Sequence, residues 1–206
     1  SIIPRFGGSP KHIIINVTDK NFLGLGHQYS ITYSQYPFTG ENTFNTNYFV
    51  PNIRNTFVTT TLHYGTDAFR NFNKIFAIDR PFFSPFAKWA TGIKFIRQFH
   101  QDSIAFPDSV YFPGKYKFNS QDYWVGYAMH IFKGNTEKNR TTNLITTIRF
   151  LRIRFLEKPL EMVDPQNNYS DENSYLAGVG ISSRRYYKDS YIFKYGVTED
   201  VPVGVV

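Results

Sequence analysis

Cysteine is absent from this sequence of 206 residues, and tryptophan and methionine occur only twice each. Without cysteine there is no disulfide framework, no thiolate metal site and no cysteine nucleophile. That absence does not fix the compartment, because envelope and cytosolic proteins can both do without thiols. No apolar run approaches the ~20 residues that a helical membrane span requires. Apolar periodicity at three to four residues is nowhere sustained for the length of an average helix. Clustered charge is also scarce. The net charge is +7 and the pI about 9.5, which would suit an anionic partner. The densest basic groups, however, are only Arg184-Arg185 and the set Arg149, Arg152 and Arg154. Such dispersion argues against a nucleic-acid partner.

What the chain has is aromatic rings and alternation. Phe, Tyr and Trp make up 18% of it, with 21 Phe and 15 Tyr, yet the mean hydropathy is −0.36. Apolar residues must therefore be interleaved with Thr, Ser, Asn and Gln, as in a sheet with an apolar face and a wet one. Tyr29-Ser30-Ile31-Thr32-Tyr33-Ser34 alternates strictly, and the same dyad runs through Tyr123, Val125, Tyr127, Met129 and Ile131 and through Tyr191, Phe193, Tyr195 and Val197. Further strands are expected at 12–17, 43–49, 56–64, 74–79, 87–99, 144–155 and 175–182. In the 144–155 run the apolar parity changes after Phe150, which predicts a bulge there.

Turn chemistry separates these runs at Gly24-Leu25-Gly26, Pro37 to Gly40, Asp67 to Asn73, Pro81 to Pro85, Gly134-Asn135 and Lys188-Asp189. Two connections, 101–120 and 158–173, read as long polar loops. Short turns at one end and long loops at the other are the asymmetry of outer-membrane barrels, and several strands reach the ~9–11 residues of a tilted span. The fold class expected is all-β: one domain over 1–206, an antiparallel meander forming all or part of a transmembrane β-barrel. Ile31, Tyr33, Val125, Tyr127, Phe193 and Tyr195 should face lipid. Tyr36, Phe82, Phe83, Trp89 and Trp124 should form an interfacial aromatic girdle. Arg80, Arg152 and Arg154 should carry charge in the lumen or at the rim, since a lipid-facing Arg costs ~2–4 kcal/mol at the bilayer midplane. The apolar ending at Val205-Val206 leads us to expect a piece of a longer chain, with any signal peptide upstream of Ser1.

The turns resemble a known family in their order. Asn21-Phe22-Leu23-Gly24-Leu25-Gly26 looks like the Asn-Phe/Leu-x-Gly-x-Gly hairpin of the BamA/TamA-like surface-antigen barrels, the insertase and two-partner-secretion superfamily. Tyr48-Phe49-Val50-Pro51-Asn52 is similar to their Tyr-x-x-Pro-Asn turn. Asp79-Arg80-Pro81-Phe82-Phe83-Ser84-Pro85 with Lys88-Trp89-Ala90-x-Gly92 resembles their Glu/Asp-Arg-Pro-Phe-Tyr-Ser turn and the strand after it. Glu199-Asp200-Val201-Pro202-Val203-Gly204 resembles an acidic-Pro-x-Gly strand exit. The family's lumenal Arg-Gly-Phe/Tyr motif and its aromatic C-terminal strand are absent, so the resemblance implies the N-terminal part of such a barrel. It further implies a bacterial outer-membrane location, lipid, client outer-membrane or secreted proteins and other envelope subunits as partners, and a first strand at 12–17 with a free edge.

No enzyme site or cofactor is expected. The five histidines, His12, His27, His63, His100 and His130, lack metal-ligand spacing. Gly24-x-Gly26 lacks the third glycine of a phosphate cradle. Asp67, Asp79 and Asp102 near His63 or His100 are the kind of triple any chain this size offers. Three Asn-x-Ser/Thr sequences at Asn16, Asn139 and Asn168 carry meaning only in a eukaryotic secretory context. The alternative function is a soluble or surface-exposed β-sandwich whose aromatics stack on a glycan or serve in adhesion.

Overall fold

The computed structural model describes residues 2–6, 13–36, 40–84, 86–105, 111–132, 142–160, 164, 166–190 and 198–205. Eleven strands follow one another: β1 (Ile2–Phe6), β2 (Ile13–Phe22), β3 (His27–Tyr36), β4 (Glu41–Val50), β5 (Thr59–Thr66), β6 (Phe72–Arg80), β7 (Trp89–Ala105), β8 (Tyr111–His130), β9 (Thr142–Glu157), β10 (Glu172–Ser190) and β11 (Thr198–Val205). They form one sheet in sequence order, an antiparallel meander, and no helix occurs among the described residues. The sandwich alternative needs two facing sheets, whereas all eleven strands belong to this one. The order of ladders ends at β1 and at β11, with no ladder joining those two among the described residues.

The chain packs as two compact units, one of residues 1–79, 92–123 and 150–174, the other of 80–91, 124–149 and 175–206. In the first, hairpin chemistry sets the register. At the β2–β3 turn the Gly24 amide donates to the Asn21 carbonyl at 2.8 Å, and the Gly26 amide donates to Asn21 Oδ1 at 2.7 Å. Leu23, Gly24 and Gly26 all have positive φ, 55°, 73° and 72°, which the two glycines adopt without a Cβ penalty. The β4–β5 connection, 51–58, is closed by the Ile53 amide on the Val58 carbonyl at 2.9 Å and by the Phe57 amide on Asn52 Oδ1 at 2.9 Å. The motif-bearing turns thus consist of side-chain carbonyls holding left-handed backbone.

Several expectations change. The segment 101–120, read as a loop because of Pro107 and Pro113-Gly114, is mostly strand, since β7 runs to Ala105 and β8 starts at Tyr111. A proline tolerated within a strand misled the reading. Lys188-Asp189 lies inside β10 instead of at a turn. The strand expected at 191–197, with Phe193 and Tyr195, lies outside the described residues, as does Gly134-Asn135. The segment 12–17 is not an edge, because β2 has ladders with β1 on one side and with β3 on the other. Nor is a bulge needed near Phe150. Thr146 Oγ1 donates to the Tyr127 carbonyl at 3.3 Å, Phe150 stacks on Tyr123 at 6.3 Å and Phe155 meets Phe118 at 5.7 Å, all in the same β8–β9 register. The parity change is a change of chemistry between the two faces.

Candidate functional site

Residues directly opposite one another across a ladder share a face of the sheet, so the registers sort the side chains of the first unit. Tyr29, Ile31 and Tyr33 of β3 stand opposite Tyr48, Thr46 and Phe44 of β4. Those stand opposite Leu62, Tyr64 and Thr66 of β5, which in turn face Phe76, Lys74 and Phe72 of β6. On the other side β3 continues into Ile15 and Val17 of β2. Rings extend this face beyond β6: Phe76 on Phe95 at 6.2 Å, Phe95 on Tyr123 at 5.8 Å and Tyr123 on Phe150 at 6.3 Å. An aromatic row therefore crosses four strands, β6 to β9, and Tyr29, Tyr48 and Leu62 carry it back to β3.

The opposite face of β2 to β6 is mostly polar, with Ile14, Phe49 and Ile75 among its apolar members. Asn16, Thr32, Asn45, Gly65 and Asn73 follow one another across β2 to β6, beside a second row of Thr18, Ser30, Asn47 and His63. Asn16 Nδ2 donates to Thr32 Oγ1 across the strands at 2.9 Å. Buried positions here are small or polar, among them Ser34, Ala77, Ala90, Ser120, Asp122 and Ala128. No large side chain is fully buried among the described residues. Apolar ones are instead half open: Ile15 is 45% exposed, Leu62 45%, Trp89 57%, Ile148 65% and Val179 75%. Within the first unit alone, Ile13, Ile15, Val17, Leu62 and Phe76 are exposed on the aromatic face, and apolar exposure shared by neighbouring strands marks a contact surface.

On the aromatic face a groove of about 760 Å³ is lined by Tyr48, Leu62, Phe76 and Phe95 together with Lys74 and Arg97. Lys74 Nζ lies 5.3 Å from the Tyr64 ring centroid and 5.4 Å from that of Phe72. On the polar face a hollow of about 380 Å³ holds Asn45, His63, Asn71, Asn73 and His100. Both histidines line this hollow, and no metal-binding group of three or more His, Asp or Glu side chains exists among the described residues. His27 Nδ1 is hydrogen-bonded to the Tyr48 hydroxyl at 2.5 Å, and His130 is exposed. His12 lies outside the described residues.

The remaining sequence-predicted positions divide between the faces. Ile31 and Tyr33 lie in the aromatic rows, and Val125 and Tyr127 continue the Tyr123 parity along β8. Trp89 packs on Tyr127 with centroids 4.4 Å apart. Tyr36 and Trp124 have the parity of the polar face on β3 and β8, and Phe82 lies where a Cβ on Gly126, also on that side, would meet it at 3.0 Å. Arg80 Nη1 donates to the Trp89 carbonyl at 2.5 Å while its guanidinium sits 4.8 Å over the Phe83 ring. Arg80 and Phe83 therefore pin the 81–88 turn. Arg152 and Arg154 share the parity of Phe150, which puts both on the aromatic face and not on the polar one. Arg154 reaches the start of β10, with Nη2 donating to Asn173 Oδ1 at 3.1 Å and Nε 3.7 Å from Asp171 Oδ2.

Sequence reading left Tyr48, Leu62, Phe76, Phe95 and Phe150, the body of the aromatic row, out of the lipid-facing set, and Lys74 and Arg97 out of the charged one. Alternation within β4 and β6 pointed to a face, but only the pairing register joins one strand's face to the next. Comparison with protein-family models, with curated proteins and with solved structures finds no match to the chain.

Proposed function

We propose that the chain forms part of the wall of a transmembrane β-barrel of the bacterial outer membrane, with the aromatic face toward lipid and the polar face toward a wet interior. The observation that carries this reading is the segregation of apolar and polar side chains onto opposite faces of successive antiparallel strands, with the apolar side left open. In water such a surface drives association, whereas in hydrocarbon it is the stable arrangement. Crowding of small residues onto the polar side is what a closing sheet requires of its inner face. A wall also needs every main-chain group paired, so the outer edges of β1 and β11 must meet each other, further strands or another subunit.

Within that class, the order of the Asn21–Gly26, Tyr48–Asn52 and Asp79–Gly92 motifs favours a BamA/TamA-like role in assembly or translocation of outer-membrane proteins, without a cofactor. Main-chain pairing at a strand edge can template an incoming strand. The absence of native cysteine makes the test direct. Single cysteines at Val17, Ile31, Leu62 and Phe95, and at Asn16, Thr32, Asn47 and His63, are introduced into the full chain folded in vesicles. A membrane-impermeant maleimide is expected to label the second set and spare the first. Equal labelling of both sets, or a chain that stays dispersed without detergent, would sink the membrane reading. Crosslinking from β1 to nascent outer-membrane proteins tests the assembly role separately, and its absence would reduce the chain to a passive wall.

A further inference from the structure

Beside the aromatic row runs a second row of different chemistry. Phe76, Phe95, Tyr123 and Phe150 mark the first; two residues from each, on the same face, stand Lys74, Arg97, Gln121 and Arg152. Successive strands run antiparallel, and the steps go backward on β6 and β8 but forward on β7 and β9. All four therefore move the same way, by ~6.6–6.8 Å of strand rise. The result is a cationic and amide row lying alongside an aromatic one. The groove of about 760 Å³ spans both rows, lined by Tyr48, Leu62, Phe76 and Phe95 of the one and by Lys74, Arg97 and Gln121 beside it. No carboxylate lines it. Neither Lys74 nor Arg97 has an ion-pair partner among the described residues, and Lys74 is held over two rings instead.

We infer that this groove binds a lipid bearing an anionic phosphate head group, its acyl chain lying on the aromatic row and its phosphate held between Lys74 and Arg97. The inference rests on the aromatic face being the lipid face. An ammonium and a guanidinium one strand apart can each give a charge-assisted hydrogen bond to a phosphate oxygen. In the absence of a protein carboxylate, a lipid phosphate is the anion whose own apolar tail is anchored where the groove is apolar. A zwitterionic choline lipid carries the same phosphate but adds a cation that Lys74 and Arg97 repel. The selectivity is therefore for net negative charge in the head group.

The test is electron paramagnetic resonance of spin-labelled lipids in phosphatidylcholine vesicles containing the full chain. Spin-labelled phosphatidic acid is compared with spin-labelled phosphatidylcholine for the motionally restricted population at the protein surface. Wild-type chain is expected to favour phosphatidic acid by about fivefold or more, the effect of roughly one surface cation or more. The double substitution Lys74→Gln with Arg97→Gln should bring the ratio close to one. The control pair Lys20→Gln with Arg70→Gln, which removes the same charge from two turn-flanking exposed sites, should leave it unchanged. Equal restriction of both lipids by the wild type overturns the inference, as does a control pair that loses as much selectivity as the groove pair. Loss of selectivity to excess inorganic phosphate at constant ionic strength would also overturn it, by showing a site for the free anion. Those outcomes leave the wall reading intact. Absence of a restricted component for either lipid overturns the wall reading, and this inference with it.

Discussion

Phe76 and Phe95 stack across β6 and β7 with ring centroids 6.2 Å apart and planes 7° from parallel, and Lys74 and Arg97 stand next to them on the same face. Two strands thus place an aromatic pair and a cationic pair side by side. Stacking of this kind adds ~0.5–1.5 kcal/mol beyond area burial, and it fixes the register that brings the two cations together.

The solvent of the aromatic face decides the sign of a polar substitution. With Leu62 in hydrocarbon one same-face step from the Lys74 and Arg97 row, Leu62→Lys is expected to lower unfolding stability in vesicles by about 1 kcal/mol or more, short of the ~2–4 kcal/mol of the midplane. Asn47→Lys on the polar face should change it by under ~0.5 kcal/mol. Urea titration of the chain folded in vesicles reads both. Were Leu62→Lys neutral there, that face would be in water.

Gly126, in the second unit, is crowded by three side-chain atoms from two neighbouring residues. A Cβ there would meet Phe82 Cζ at 3.0 Å, Phe82 Cε2 at 3.1 Å and Thr147 Cγ2 at 3.3 Å, whereas one on Gly180 would meet nothing within 4 Å. Gly126→Val should cost ~1–3 kcal/mol by overpacking and Gly180→Ala close to nothing. Thermal unfolding of the two variants separates them, and equal midpoints would show that Phe82 yields freely.

The connection between β4 and β5 stores left-handed backbone at non-glycine residues, with φ of 48° at Arg54, 60° at Asn55 and 59° at Phe57. Relief of that conformation makes Arg54→Gly stabilising by roughly 1 kcal/mol, less the entropy a glycine adds to the unfolded chain. Asn52→Ala removes the acceptor of the Phe57 amide and should destabilise by about 1 kcal/mol. Denaturant midpoints that move in the opposite directions would refute this account of the turn.

Asp164, in the connection between β9 and β10, accepts the Tyr169 amide at 2.9 Å and the Asn168 amide at 2.8 Å. These bonds, led by that of Tyr169 and helped by Lys158, hold its carboxyl below the ordinary carboxylate value. A depressed folded value means that the loop's order is fully present above the ordinary pKa and is lost as pH falls through the folded one. Hydrogen exchange at the Tyr169 amide should therefore accelerate, relative to its intrinsic rate, only in that acidic range. Asp164→Asn should remove the pH dependence, and a wild-type profile that stays flat would contradict the assignment.

Within-strand information was legible in the residues themselves. Alternation in Tyr29–Ser34 and in Tyr123–Ile131 gave strands and their faces, and Asn21–Gly26 gave a hairpin, because parity and left-handed turns are consequences of local sterics. Pro113 hid the start of β8, since the cost of a proline depends on which neighbour its missing donor would have met. What the tertiary structure alone decided was register. Only the ladders put Tyr48, Leu62 and Phe76 in one line, and only the ring contact across β6 and β7 set Phe95 against Phe76. Pairing between strands is a contest among many main-chain alignments of nearly equal hydrogen bonding. It is settled by side-chain contacts between distant segments, which no single stretch of sequence contains.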